Sequence, residues 1–306
     1  MKTAIVFGAA GFIGSHLVKK IAALGWQVDC IDNLSNGDIG RFQHLNPGLS
    51  LKTMDCRLYE SALKSADFVF DLAYINGTRN FYTRASEILK FAGGSVFKSI
   101  ELAQRLDARL IYFSTPEIYG EPDVIPTSEN VVLRVEDITN KRWSYSIGKI
   151  FSEAVLHSLG HNRLNFVVVR PNNAYGPFDK DHVIPDLFRK LSRDLSRLEI
   201  LGAPTDSRAY CYVEDMVEQI ILVALLGETA CAYNVGSSVT TTLEDLVGKM
   251  VKIVRVNPTL DWRPAMEGSP RRRCPDLSKV SKLGSLKWTP LDVGLERVYA
   301  SLTPNV

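Results

Sequence analysis

Residues 3–17 read TAIVFGAAGFIGSHL. A short apolar run (TAIVF) meets glycines at positions 8, 11 and 14, and an apolar stretch of helical period follows (FIGSHLVKKIAAL, 12–24). The run reads as a buried strand and the stretch as a helix, so together they open a strand–helix–strand unit. The same alternation continues along the chain. QVDCID (27–32), LSLKTMD (49–55), DFVFDLA (67–73), RLIYFS (109–114) and NFVVVR (165–170) read as strands, with helices over about 84–106 and 144–160. Near-continuous apolar strands alternating with helices predict a parallel sheet covered on both faces. Beyond Arg170 the pattern loosens: PNNAYGP and GAPTDS interleave with helices near 183–193, 213–226 and 242–254. The expected architecture is α/β, a doubly wound parallel sheet over 1–170, with 206–233 returning to it, and a smaller lobe over 171–306.

The chain has 306 residues, 45% of them hydrophobic and 23% charged, with a net charge of +2. That balance suits a globular protein with a large core and gives no sign of a nucleic-acid or membrane partner. RRRC (271–274) is the one dense basic run, too short to be a nucleic-acid patch. Cys30, Cys56, Cys211, Cys231 and Cys274 are scattered without CxxC spacing and read as reduced thiols of a cytoplasmic protein. The sequence runs straight into its first strand, so no signal peptide is expected, and no apolar run is long enough for a spanning helix. His16, His157 and His161 do not pair, so no metal site is expected.

Gly8, Gly11 and Gly14 stand where a strand turns into a helix, and the helix start at Phe12 and Ile13 offers free N–H groups to a pyrophosphate. The spacing is GxxGxxG, which by itself is also what a tight packing turn would use. Asp32 ends the second strand about 20 residues further on, where a carboxylate can bind the adenosine ribose. With Asn33 after it and no Arg or Lys in DNLSNGD, the pattern favours NAD over NADP, in a Rossmann-type domain. Asp55 and Cys56 follow the third strand, where the adenine ring would sit, though Asp55 could equally cap the next turn. Leu72 and Ala73, at the end of the fourth strand, complete the candidate cofactor residues.

WSYSIGK (143–149) sets Tyr145 and Lys149 one helical turn apart, on one face. A nearby cation favours the phenolate, although such a spacing also arises by chance. FSTPEIYG (113–120) places Thr115 and Glu117 at the carboxyl end of a strand, where ligands of a parallel sheet collect. Thr115 and Tyr145 would share a substrate hydroxyl proton, with Tyr145 as base and Lys149 tuning it while a hydride leaves for the nicotinamide.

GAAGFIGSHL, FSTPEIYG, YSIGK, VVVRPNNAYGP, SRAYCYVEDMV, YNVG and PRRRCPDLSK occur in the order found in the extended short-chain dehydrogenase/reductases. The chain resembles their NAD-dependent nucleotide-sugar epimerases and dehydratases along nearly its whole length. The resemblance implies bound NAD that oxidises a nucleotide-linked hexose at C4, a UDP-sugar first among the substrates, and a homodimer paired through the 86–106 and Tyr145 helices. It puts Thr115, Tyr145 and Lys149 at the catalytic positions. It implies a diphosphate contact from Asn173, a diphosphate or sugar contact from Arg208, and a nucleotide contact from Arg271 or Arg273. Thr78, with Asn76 and Arg79, is a further candidate for the sugar, although Asn76-Gly77 also reads as a plain turn.

Glu117 bears on which reaction follows. A Thr-x-Glu is similar to that of sugar-nucleotide decarboxylases and 4,6-dehydratases, and PRRRCPDLSK resembles the UDP-glucuronate decarboxylase pattern. The expected second step is therefore C5/C6 chemistry assisted by Glu117. A 4-epimerase, a dehydrogenase releasing a keto sugar, and a non-catalytic NAD-binding sensor or scaffold remain open. Pro116, Gly148, Phe91 and the segment LAYINGTRNFYTR (72–84) depart from the family's pattern around the sugar and nicotinamide, which leaves the substrate open.

Overall fold

The computed structural model describes residues 1–180, 182–265 and 271–303; the side chain of Thr78 lies outside the described residues. Six strands, β1 (Thr3–Phe7), β2 (Gln27–Asp32), β3 (Leu51–Thr53), β4 (Phe68–Asp71), β5 (Arg109–Phe113) and β6 (Phe166–Pro171), join Cys231–Val235 in one sheet. Its order is Cys231–Val235, β6, β5, β4, β1, β2, β3, and every pairing is parallel. The chain winds outward in both directions from β1 and β4, so a crevice opens beyond their carboxyl ends.

Alternation along each strand explains the two covered faces. Ala4 and Val6 point to one apolar cluster with Leu17, Val18 and Ile21 of α1 (Phe12–Ala23) and Met216 and Ile220 of α7 (Val213–Leu226). Ile5 and Phe7 point to the other, with Ile88, Val96 and Leu102 of α4 (Ala85–Arg105) and Leu156 of α5 (Ser144–Leu159). Each such side chain contributes roughly 1.5–3 kcal/mol on burial. A third cluster lies away from the sheet. It joins α6 (Val183–Arg193), α8 (Leu243–Val254), Leu291–Leu302 and the parallel pair Arg197–Leu201 and Thr259–Arg263.

The boundaries differ from the sequence expectation where turn chemistry overrides the apolar run. The third strand was expected over 49–55 but covers Leu51–Thr53. Asp55 ends it by accepting from the Arg57 N–H at 2.9 Å, which nucleates the turn Cys56–Leu58. The segment after β4 is more than a turn. Gly77, at φ +105°, turns the chain into a short helix, α3 (Thr78–Thr83), which runs up to α4.

One buried network ties sheet to site. Arg170, next to last in β6, donates to Glu153 of α5 at 2.6 and 3.1 Å, and donates at 3.0 Å to the Tyr119 hydroxyl. That hydroxyl donates in turn to Asn234 Oδ1 at 2.7 Å. The charges are buried as a pair and fully hydrogen-bonded, the arrangement in which burial is tolerated. The outer surfaces of α4 and α5 keep Leu89, Phe97 and Phe151 exposed (43%, 55% and 43%). Among the described residues no helix is long and apolar enough to cross a membrane.

Candidate active site

The crevice begins at the first glycine turn. A Cβ on Gly14 would lie 2.0 Å from the Gly8 carbonyl oxygen, so only glycine lets α1 start this close to the loop. No side chain caps α1, whose first residues are Phe12, Ile13 and Gly14, and its leading N–H groups are left for a ligand. Asp32, at the end of β2, accepts from the N–H groups of Ala10 (3.0 Å) and Leu34 (2.8 Å) and closes the loop from below. Burial raises its pKa above the usual carboxylate value, partly offset by those bonds.

Two adjoining cavities of about 320 Å³ each extend from this loop. Gly8, Gly11, Asp32, Asn33, Asp55, Cys56, Leu72 and Ala73 line the first. Asp55 also caps its turn and holds Arg57 at 2.6–3.2 Å. Phe12, Ile13, Gly14, Thr115, Glu117, Tyr145, Lys149, Asn173 and Arg273 line the second. The Ser114 hydroxyl, buried beside Thr115, has no partner among the described residues. An uncapped helix start, a carboxylate at the end of β2 and an unpartnered hydroxyl fit a dinucleotide laid across the carboxyl edge of the sheet.

Thr115 lies two residues beyond β5 and caps the turn Pro116–Tyr119, its hydroxyl accepting from the Glu117 N–H at 3.3 Å. Tyr145, 7% exposed, projects from the first turn of α5 toward it. Burial raises the phenol's pKa; the Thr115 hydroxyl, Arg142 and Arg273 pull it down, and Glu117 pushes it up. Lys149 lies one turn further and is 2% exposed. Its ammonium donates to the Phe113 carbonyl at 2.5 Å and sits 3.8 Å from the centre of the Tyr74 ring. Burial lowers its pKa to about 7, opposed by Asp71 and Glu153. Arg142 and Arg273 thus favour the phenolate from across the cavity, beside the Lys149 that sequence spacing singled out.

Glu117 stands between two guanidiniums. Its Oε2 accepts from Arg142 at 2.7 Å and its Oε1 from Arg273 at 2.8 Å. Burial pushes the carboxyl up, but Arg273 and Arg142 outweigh it and hold it at about 2. Glu117 is therefore a fixed anion at neutral pH. Two guanidiniums against one carboxylate leave the cluster one net positive charge. Of the two arginines expected near the ligand, Arg273 reaches the cavity. Arg271 is exposed, and its carbonyl oxygen accepts from Arg208 Nη1 at 3.0 Å. Arg208 and Asn173 line a third cavity, of about 500 Å³, with Tyr175, His182 and Tyr210. Thr78 lies outside the described residues as far as its side chain is concerned, and Arg79 is exposed.

Sequence reasoning missed four residues. Arg142 lies three positions before Tyr145, a spacing that signals a shared face once the helix start is known. Asp71, buried at the end of β4, accepts from Ser99 at 2.7 Å, and burial raises its pKa to about 6. Tyr74 and Phe81 come from the departing segment after β4. Phe81 stacks on Tyr145 (centroids 4.7 Å apart, planes 17°), and Tyr74 meets it edge-on (5.2 Å, 80°). Nothing in their local sequence marks them as site residues.

A sequence profile described as the NAD dependent epimerase/dehydratase family matches residues 4–236. The chain is 29% identical to UDP-glucuronic acid decarboxylase 1 of Arabidopsis thaliana, over 99% of this chain and 70% of that one. It is 28% identical to the UDP-N-acetyl-alpha-D-glucosaminuronate decarboxylase of Bacillus cytotoxicus, over 92% and 91%. Against two further Arabidopsis decarboxylases it spans 64% of their length. A crystal structure of UDP-galactose 4-epimerase superposes with a TM-score of 0.84 at 25% identity, over 99% of both chains. The chain thus belongs to the NAD dependent epimerase/dehydratase family and is an NAD-dependent enzyme.

Proposed function

We propose that this enzyme decarboxylates a nucleotide-linked uronic acid, a UDP-uronate first, after oxidising its C4 hydroxyl. The observation that carries the reading is the ionised Glu117 held between Arg142 and Arg273. At a pKa of about 2 it has no proton to give to a leaving hydroxyl, which dehydration would need. The one surplus positive charge of the cluster suits a substrate carboxylate. Similarity to two curated decarboxylases supports the same choice.

NAD, when bound, accepts the C4 hydride and later returns it. Tyr145 takes the C4 hydroxyl proton as the hydride leaves, with Thr115 hydrogen-bonding the same oxygen. The C6 carboxylate is then β to a ketone. Breaking the C5–C6 bond releases CO₂ and leaves the electron pair as an enolate over C5, C4 and O4, stabilised by the Tyr145 hydroxyl and the neighbouring guanidinium charge. C5 is reprotonated with a solvent-derived proton, and O4 recovers its proton from Tyr145 as the hydride returns. Asn173 and Arg208 would hold the diphosphate. The 1–170 segment with 206–233 would carry NAD, and 171–306 the nucleotide sugar.

Mass spectrometry of the purified protein with NAD in D₂O, offered UDP-glucuronate and UDP-glucose, tests this. The expected product comes from UDP-glucuronate alone, lighter by CO₂ and carrying solvent deuterium at C5. An unchanged mass with inverted C4 would instead establish the 4-epimerase reading, which the superposition on UDP-galactose 4-epimerase favours.

A homodimer belongs to the same proposal, paired through α4 and α5, where Leu89, Phe97 and Phe151 are exposed and Phe97 and Phe151 touch edge-on (6.5 Å). Phe97→Glu is expected to halve the particle mass in sedimentation equilibrium. A wild-type monomer would sink the dimer.

A further inference from the structure

We infer that Tyr74 and Phe81 form an aromatic clamp that holds the bound sugar ring in one orientation and so suppresses inversion at C4; this rests on the decarboxylase reading above. Both side chains come from the segment that leaves β4 and runs through α3 (Thr78–Thr83). Phe81, 4% exposed, lies in face contact with Tyr145 on one side. The Arg142 guanidinium sits over the same ring, 5.0 Å from its centroid, and Arg142 is pinned by Glu117. The Phe81 carbonyl accepts from Ser144 Oγ at 3.2 Å, which ties its backbone to the start of α5. Phe81 cannot swing away without disturbing that ion pair.

Tyr74 closes the other flank. Its ring covers the Lys149 ammonium, stands edge-on to Tyr145 and Phe91, and lines both cavities. Its hydroxyl enters a notch that exists only because residue 148 is glycine, where a Cβ would lie 2.1 Å from that oxygen. The hydroxyl is buried and has no partner among the described residues, so shape rather than hydrogen bonding holds it there. Tyr74 and Gly148 are thus a matched pair.

The consequence is stereochemical. Inversion requires the hydride to return to the face of C4 opposite the one it left, with the proton passing from Tyr145 to O4 as in simple reduction. The hydride donor is fixed, so the ring itself would have to turn over beside Tyr145. Walls on both flanks of the phenol, each backed by buried side chains, leave it no room to do so. A 4-keto sugar that cannot turn over proceeds through C5/C6 chemistry and is reduced on its original face.

The test is the C4 configuration of the products, read by NMR, in wild type, Phe81→Ala, Phe81→Leu, Tyr74→Ala and Gly148→Ala. Folding and cofactor retention are checked for each by thermal melting with and without NAD. Wild type is expected to give one configuration. The C4-inverted sugar should rise at least about tenfold in Phe81→Ala and Tyr74→Ala, a loss of about 1.4 kcal/mol of discrimination. Phe81→Leu is gentler and serves if the alanine variant does not fold. Gly148→Ala should release inverted sugar by evicting Tyr74, and should add little to inversion in a Tyr74→Ala background, where the new methyl meets only the Ala92 Cβ at 3.0 Å. Folded variants that still decarboxylate to a single configuration overturn the clamp and leave the decarboxylase reading intact. A wild type that mainly inverts C4 overturns both.

Discussion

Tyr145→Phe is expected to lower kcat by about 10²–10⁴-fold while leaving NAD and nucleotide-sugar binding nearly unchanged. The variant keeps the ring, its stacking on Phe81 and its edge contact with Tyr74, and removes only the oxygen to which the proposed mechanism assigns the C4 proton. Burial raises the pKa of that oxygen, so the phenol is neutral in the free enzyme. Its ionised form has to be favoured in the loaded site by Arg142, Arg273 and the Thr115 hydroxyl. Single-turnover NADH absorbance separates the steps. A variant that reduces NAD at more than a tenth of the wild-type rate would move the base elsewhere in the cavity.

Glu117→Gln is expected to stop CO₂ release, by about 10²-fold or more, while the first oxidation continues and NADH accumulates. The carboxylate aims two guanidiniums; the amide can accept from only one of them and leaves the pair without its counter-charge. Breaking such a buried pair costs on the order of 3 kcal/mol, and a bound uronate should return part of it. The melting point of the variant therefore falls and recovers with UDP-glucuronate more than with UDP-glucose. The sign of the pH effect follows from the depressed carboxyl. Glu117 is ionised everywhere above about 2, so its contribution is lost only as pH falls toward that value. The wild-type rate should show no Glu117 limb between about pH 5 and 8. A limb in that window that vanishes in Glu117→Gln would make Glu117 a proton carrier and remove the case for its fixed charge.

Much of the fold was legible because its signals are local. Residues 12–23, 183–193 and 213–226 become helices close to where the period placed them. The strands needed only the contrast between short apolar runs and the turns that end them. Trimming of the third strand came from Asp55, whose side chain competes for the backbone. The order of the seven strands was not local. Pairing Cys231–Val235 with β6 joins residues more than 60 positions apart, and that depends on which apolar faces remain uncovered.

The site divides in the same way. A glycine turn and an acid at the end of β2 are short-range patterns, so residue spacing was enough to point to NAD; the chemistry expected at the Tyr–Lys pair came from the resemblance carried by seven motifs in order. The charge on Glu117 depends on Arg142, 25 positions along, and on Arg273, 156 positions along; their meeting is a property of how β5, α5 and the later loops converge. Tyr74 reaches Gly148 across a comparable distance, and neither residue is informative without the other. Ionisation and shape in a cavity are set by what burial brings together, and burial brings together residues that sequence distance keeps apart.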